Sequence, residues 1–131
     1  MRVMSKIMLV VIFLSLIGIC VAEEIITSSA IRSINDDCFV IEQTIEGLED
    51  IRTSAIVKLV DNMEYDWLKD ESNLCYLVNH KSIQEIGMEL ARMKNYLGVN
   101  DIKEFKASLE AIKFYADSYL HFMGANLHNV L

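Results

Sequence analysis

The sequence predicts an all-α protein, an N-terminal membrane or signal helix followed by a small antiparallel bundle of about four helices. Three observations carry this reading. The chain contains no proline and, beyond residue 22, only four glycines (Gly47, Gly87, Gly98 and Gly124), so tight turns are few. Apolar residues recur in alternating steps of three and four, the period of one face of a helix. The first 22 residues differ from all that follow, being basic at the start and then almost continuously apolar.

Arg2 and Lys6 open the chain with no acidic residue beside them. Residues 7–22 are then broken only by Ser15 and Gly18, and Glu23 and Glu24 end the run. A basic start, an apolar stretch and small residues before a polar boundary make a secretory signal pattern, with Cys20 and Ala22 preceding a cut at Glu23. An uncleaved anchor is the rival. Sixteen helical residues span about 24 Å against a hydrocarbon core of roughly 30 Å. Adding Val3 and Met4, with Lys6 reaching back to the headgroups, makes up the difference. A lipid on Cys20 is a third reading, to which bulky Ile19 objects. Each divides the chain into a leader, 1–22, and an extracytoplasmic helical domain, 23–131. The basic leader end stays inside. The expected location is the cell membrane, single-pass with the C-terminal domain outside, or else secreted.

Four stripes follow. Ile31, Ile34, Cys38, Ile41, Ile45 and Leu48 predict a helix over 29–48, and residues 47–50 the turn after it. Ile56, Val60, Met63, Trp67 and Leu74 predict a helix over 51–79, weakest at 70–73, where helix propensity is poor. Ile83, Ile86, Leu90, Met93 and Leu97 predict 82–97. Ser82 and Glu85 form a capping box at its start, and Gly98 is its left-handed C-cap. Ile102, Phe105, Leu109, Ile112, Ala116, Tyr119 and Met123 predict 101–122 with a looser tail, Asp101 and Glu104 resembling another capping box. Short connections make sequential helices antiparallel.

The charge excludes some partners. Twelve basic residues include Arg2 and Lys6, so residues 23–131 hold ten against nineteen acidic ones, a net of −9. Phosphate backbones and anionic headgroups need a basic face, which argues against nucleic acid and against docking on anionic lipid. Beyond the leader, Cys38 and Cys75 form an even pair, as in disulfide-bonded exported proteins, and a bridge would stabilise by about 4 kcal/mol. With a turn near 49, however, Cys38 faces residue 60. Cys75 then lies roughly 22 Å further on, so both thiols are expected free.

His80 and His121 fall at one end of an antiparallel hairpin, with Glu85 and Asp117 near enough to add oxygen; His128 is the third histidine. Nitrogen and carboxylate together suit a divalent metal, which makes His80, His121 and Glu85 weak metal candidates; no spacing motif supports them. Trp67 with Tyr65, and Phe114 with Tyr115 and Tyr119, are at helical spacing and are expected in the core. No nucleophile–base pair, phosphate loop or acid–base carboxylate pair is legible, so no catalytic and no cofactor-binding residue is assigned, and no enzyme is expected.

Trp67, Leu74, the run V-N-H-K-S-I-Q-E-I at 78–86 and L-A-R-M-K-N-Y-L at 90–97 make one half of a wider pattern. N-D-I-K-E-F-K-A-S-L at 100–109 and N-L-H-N-V-L at 126–131 make the other. Over residues 56–131 this resembles an uncharacterised family of small membrane-anchored helical proteins of Clostridia and related Firmicutes, a domain of unknown function. Residues 23–50 match it only in general character. The resemblance implies a membrane tether and assigns no catalytic residue. The expectation is thus a non-enzymatic, membrane-tethered domain acting by contact with an unidentified protein in the cell envelope. Its alternative is an exported small-molecule or divalent-metal binding module, with a cavity lined by Trp67, Phe105 and Phe114.

Overall fold

The computed structural model describes residues 2–74 and 80–130; of residue 80 and of residues 123–130 it describes the backbone. Four helices run in chain order: α1 (Arg2–Ile45), α2 (Ser54–Leu74), α3 (His80–Gly98) and α4 (Ile102–Val130). Each packs on its neighbours in sequence and α4 closes on α1, while among the described residues the backbones of α1 and α3, and of α2 and α4, stand diagonally apart. This is the expected antiparallel bundle. The four stripes point inward, and Ile31, Cys38, Ile56, Val60, Ile86, Met93, Phe105, Ile112 and Ala116 are fully buried.

The largest departure from expectation lies at the N-terminal end. The leader and the first bundle helix are one helix of 44 residues, about 66 Å long. The stripe read from the sequence began at Ile31, and the helix was expected from residue 29. Thr27 is instead fully buried and belongs to the same stripe as Ala30, Ile31 and Ile34. No proline interrupts the backbone there, and packing outweighs the weak propensity of Thr27, Ser28 and Ser29. Residues 2–22 remain exposed throughout. At the other end the stripe stops at Ile45, leaving Leu48 exposed in the connection.

The connections account for the remaining differences. Gly47 takes φ 76° and turns the chain out of α1. Ile51 is buried in the loop, and α2 starts only at Ser54, three residues later than its stripe suggested. Thr53 caps it: Ile56 N donates to Thr53 Oγ1 at 3.4 Å. The second helix is described to Leu74, and its expected continuation to 79 lies outside the described residues. α3 opens at His80, which puts Ser82 inside the first turn and removes it from the capping position. Asp101 does cap α4, its Oδ1 accepting from Glu104 N at 3.2 Å. The tail expected to be loose continues as helix to Val130.

Gly98 is not the left-handed cap of α3; Asn100 is, at φ 54°. Asn100 N donates to Leu97 O (3.2 Å) and Asp101 N to Tyr96 O (2.9 Å), a Schellman closure with asparagine in the usual glycine place. The Asn100 side chain explains the choice. Its Oδ1 accepts from the backbone of buried Ile51 (2.9 Å) and its Nδ2 donates to Glu49 O (3.2 Å). One residue therefore closes α3 and clamps the α1–α2 connection onto the α3–α4 connection. Beside it, Asp50 accepts from Arg52 N, Nε and a terminal guanidinium nitrogen, which holds its carboxyl down at about 2.

Side chains also set the α1–α4 register. Lys113 Nζ reaches Glu42 at 2.8 Å and Glu110 at 3.1 Å, and Asn35 Nδ2 donates to Asp117 at 3.3 Å. Further along, burial raises the pKa of Tyr119, an effect that Thr27 opposes and the charges of Glu23 and Glu24 add to. Rising α4 numbers thus meet falling α1 numbers.

The clamp makes a stability prediction. Asn100→Ala loses two hydrogen bonds worth about 1 kcal/mol each and adds about 1 kcal/mol of left-handed strain. Asn100→Gly loses only the bonds. Thermal unfolding should rank the parent above Asn100→Gly and Asn100→Gly above Asn100→Ala; an unchanged Tm for the alanine variant refutes the clamp.

Candidate functional site

Of the metal candidates, Glu85 is half-buried on α3 and His121 is exposed on α4. The side chain of His80, and so its pairing with His121, lies outside the described residues. Among the described residues no group of three or more histidine, cysteine, aspartate or glutamate side chains is arranged to hold a metal ion. Asp117, the expected fourth contributor, is engaged by Asn35. Cys38 is a free thiol, wholly buried; burial, then the charge of Asp37, pushes it up to about 12, so it stays protonated. Cys75 lies outside the described residues.

The aromatic expectations divide. Trp67 and Phe105 are buried, and Tyr115 and Tyr119 half-buried against the core. Tyr65 and Phe114 are 71% and 67% exposed, so they face solvent and correct the expectation. Each sits two positions from its nearest stripe residues (Met63 and Trp67; Ile112 and Ala116), and a rotation of about 200° carries a side chain to the opposite face of the helix. With Phe114 facing solvent while Trp67 and Phe105 are buried, these three rings do not share one buried surface.

What the structure does build is centred on Trp67, whose ring separates two acidic features. On the α1 side, Asp37 of α1 meets Asp66 and Asp70 of α2 around a crevice floored by Ala30, Ile34 and Met63, too tight for a water molecule. Burial raises the pKa of Asp37, and the charges of Asp66 and Asp36 raise it further. Burial and then Asp66 likewise raise Asp70. On the α3 side, an open groove runs between α2 and α3 past Trp67, Leu68, Gly87 and Met88, with Glu64 and Glu71 on its rim. Glu64 is held by Lys94 at 2.8 Å, which also reaches Asp61 at 3.2 Å.

The indole Nε1 is buried with no hydrogen-bond partner among the described residues. It points at Gly87, where a Cβ would sit 3.6 Å from Nε1 and 3.8 Å from a Glu71 oxygen. Leu68 and Met88, the apolar walls of the groove, are 56% and 53% exposed. The groove therefore offers a wet apolar surface rimmed by carboxylates, with one donor beneath it. Sequence reasoning missed Leu68 and Met88 because they lie off the stripes, Leu68 one position from Trp67 and Met88 two from both Ile86 and Leu90. Their only signal was the pairing of Leu68 with core Trp67 and of Met88 with helix-interior Gly87. The Asp66–Asp70 spacing of four was legible as a like-charge pair; Asp37 joining it was not.

The aspartate crease makes a second prediction. Asp66→Asn removes repulsion toward Asp70 and Asp37 and should stabilise at pH 7 by about 0.5 kcal/mol, roughly 2–4 °C. Asp37 and Asp70 both lie above the ordinary 3.8 when folded. The penalty is thus complete at neutral pH and is relieved as pH falls through the folded values toward 3.8. The gain in Tm should therefore shrink at pH 4; a gain that is constant from pH 7 to pH 4 rules out the repulsion.

No curated protein and no solved structure matches the chain. A family model does match, over residues 25–130, and so takes in the bundle part of α1 that the resemblance left aside. The chain therefore belongs to the DUF4363 family, a domain of unknown function.

Proposed function

We propose that this protein is a single-pass, membrane-tethered helical domain that stands outside the membrane and works by binding another envelope protein. The observation that carries the reading is the continuity of α1. Twenty-one exposed, largely apolar residues, with a mean hydropathy of 2.5 over the best window, run without linker into a stripe that forms one wall of the bundle. Left in water, such a surface would associate or aggregate; in a bilayer it is satisfied. A peptidase needs an extended strand at the scissile bond, and the backbone at residues 20–24 is helix. This supports an anchor over a cleaved signal. Arg2 and Lys6 at the far end support an outside position for the bundle.

The α2–α3 groove is the surface best suited to a partner. Its apolar walls, Leu68 and Met88, and its acidic rim, Glu64 and Glu71, fit an apolar side chain flanked by basic residues.

The tether is tested by mass spectrometry of the chain recovered from alkali-washed membranes. The intact N-terminal segment is expected; a mature N-terminus at Glu23 defeats the anchor. For the partner, a photo-crosslinking residue at position 68 in living cells should yield a discrete adduct that Met88→Glu abolishes. Adducts indifferent to Met88→Glu, or none above those formed from exposed position 57, defeat the groove as the binding face.

A further inference from the structure

Gly87 lies in the interior of α3 without a positive φ, and the fold makes no demand for glycine there. The three atoms nearest to a Cβ at this position would be Trp67 Nε1 at 3.6 Å and two Glu71 oxygens at 3.8 and 4.0 Å, all ordinary contact distances. Alanine would fit, and glycine weakens a helix interior relative to alanine. What a methyl group would take away is the notch above the indole.

The indole N–H aimed into that notch is an orphan. Trp67 is 2% exposed, and its Nε1 is buried with no partner among the described residues. Buried indole N–H groups usually find an acceptor, because an unpaired one keeps the full cost of its desolvation. Glu71, half-buried on α2, brings its carboxylate to the same spot. Donor and carboxylate therefore converge on a space about one methyl group wide, on the floor of a groove walled by Leu68 and Met88.

The pairing restricts what can enter. Carboxylates and phosphates accept from an N–H but meet the charge of Glu71, with Glu64 on the same rim. Ammonium and guanidinium groups satisfy Glu71 and bring only donors to the indole. A carbonyl accepts and has no proton for Glu71. A hydroxyl does both through one oxygen, which accepts from Nε1 and donates to the carboxylate. We infer that the notch over Gly87 takes the hydroxyl of a threonine or serine on the partner segment. Threonine also turns a methyl group to Leu68 and Met88. The N–H has no exposed surface, so the hydroxyl enters past Glu71, whose long side chain swings aside and closes again. The inference rests on the α2–α3 groove being the binding face and names the group read there.

The chain has a single tryptophan, so one indole N–H resonance reports on the notch. The full chain, isotope-labelled and held in phosphatidylcholine nanodiscs, is titrated with N-acetylthreonine amide, with its isostere N-acetylvaline amide and with glucose. A saturable downfield shift is expected with the threonine compound. The valine compound should bind about tenfold more weakly, the worth of a hydrogen bond to a charged group. Gly87→Ala should keep or raise the Tm and lose the shift. Equal responses to the threonine and valine compounds overturn the hydroxyl and leave the apolar groove standing. A stronger response to glucose overturns a protein source for it. A Gly87→Ala variant that responds as the parent does overturns the notch. No response to any probe overturns the inference, and the adduct from position 68 then decides the groove separately.

Discussion

The structure depends on α1 being a single uninterrupted helix. A helix is a stiff rod, and kinks need proline, paired small residues or an inserted group. No proline lies between Ala22 and Ile31, the Ser28–Ser29 pair leaves the helix unbroken, and the burial of Thr27 and Ala30 locks that stretch into the bundle. The other three helices take their places from this rod. α2 returns along one side of it. α4 returns along the other, fixed in height by Lys113 on Glu42 and Asn35 on Asp117. α3 fills the remaining side, diagonal to α1. At the end remote from the leader, Asn100 ties the two loops together, so the bundle is closed by packing along its length and by hydrogen bonds at its tip.

Much of this arrangement was legible. Alternating steps of three and four identify which residues face inward, because burial of a helix stripe is the dominant favourable term and leaves little choice. Ile56, Val60, Met63 and Trp67 are buried as their spacing requires. The ends of the elements were not legible to the same degree, since local preferences of a few tenths of a kcal/mol compete there with tertiary contacts. Gly98 has the better intrinsic claim to the left-handed position. Asn100 takes it because its side chain finds Ile51 N and Glu49 O, fifty residues back. Ser82 has the form of a helix cap, yet α3 already begins at His80.

The candidate site was less legible for a related reason. The groove walls, Leu68 and Met88, belong to no stripe, and a lone exposed leucine or methionine is ordinary on any surface. They acquire meaning only when α2 and α3 come together over Gly87 and the Trp67 indole. The aspartate crease illustrates the same point. Asp66 and Asp70 repel along one helix and Asp37 arrives from another, so a local like-charge pair becomes a three-carboxylate crease only in the folded chain.

The rigid link between leader and bundle bears on what the domain can bind. A flexible linker would let the bundle search a large volume, with its reach growing as the square root of linker length. Here no linker intervenes between the apolar run and the first buried residue, Thr27. Trp67 packs level with Ile34, eleven residues above Glu23, so the groove stands about 16 Å beyond the end of the apolar run. Because α1 runs into the bundle as one helix, that height is set by the helix itself. Under the proposed function, a partner would bring its own basic and apolar segment to this layer, which a protein held at the same membrane face would do with little cost in translational freedom. A freely diffusing partner would have to offset that cost from a groove with two exposed apolar walls and one buried donor. Under the proposed tethered reading, a neighbour held in the same membrane suits the groove better, its effective concentration compensating for the groove's modest size.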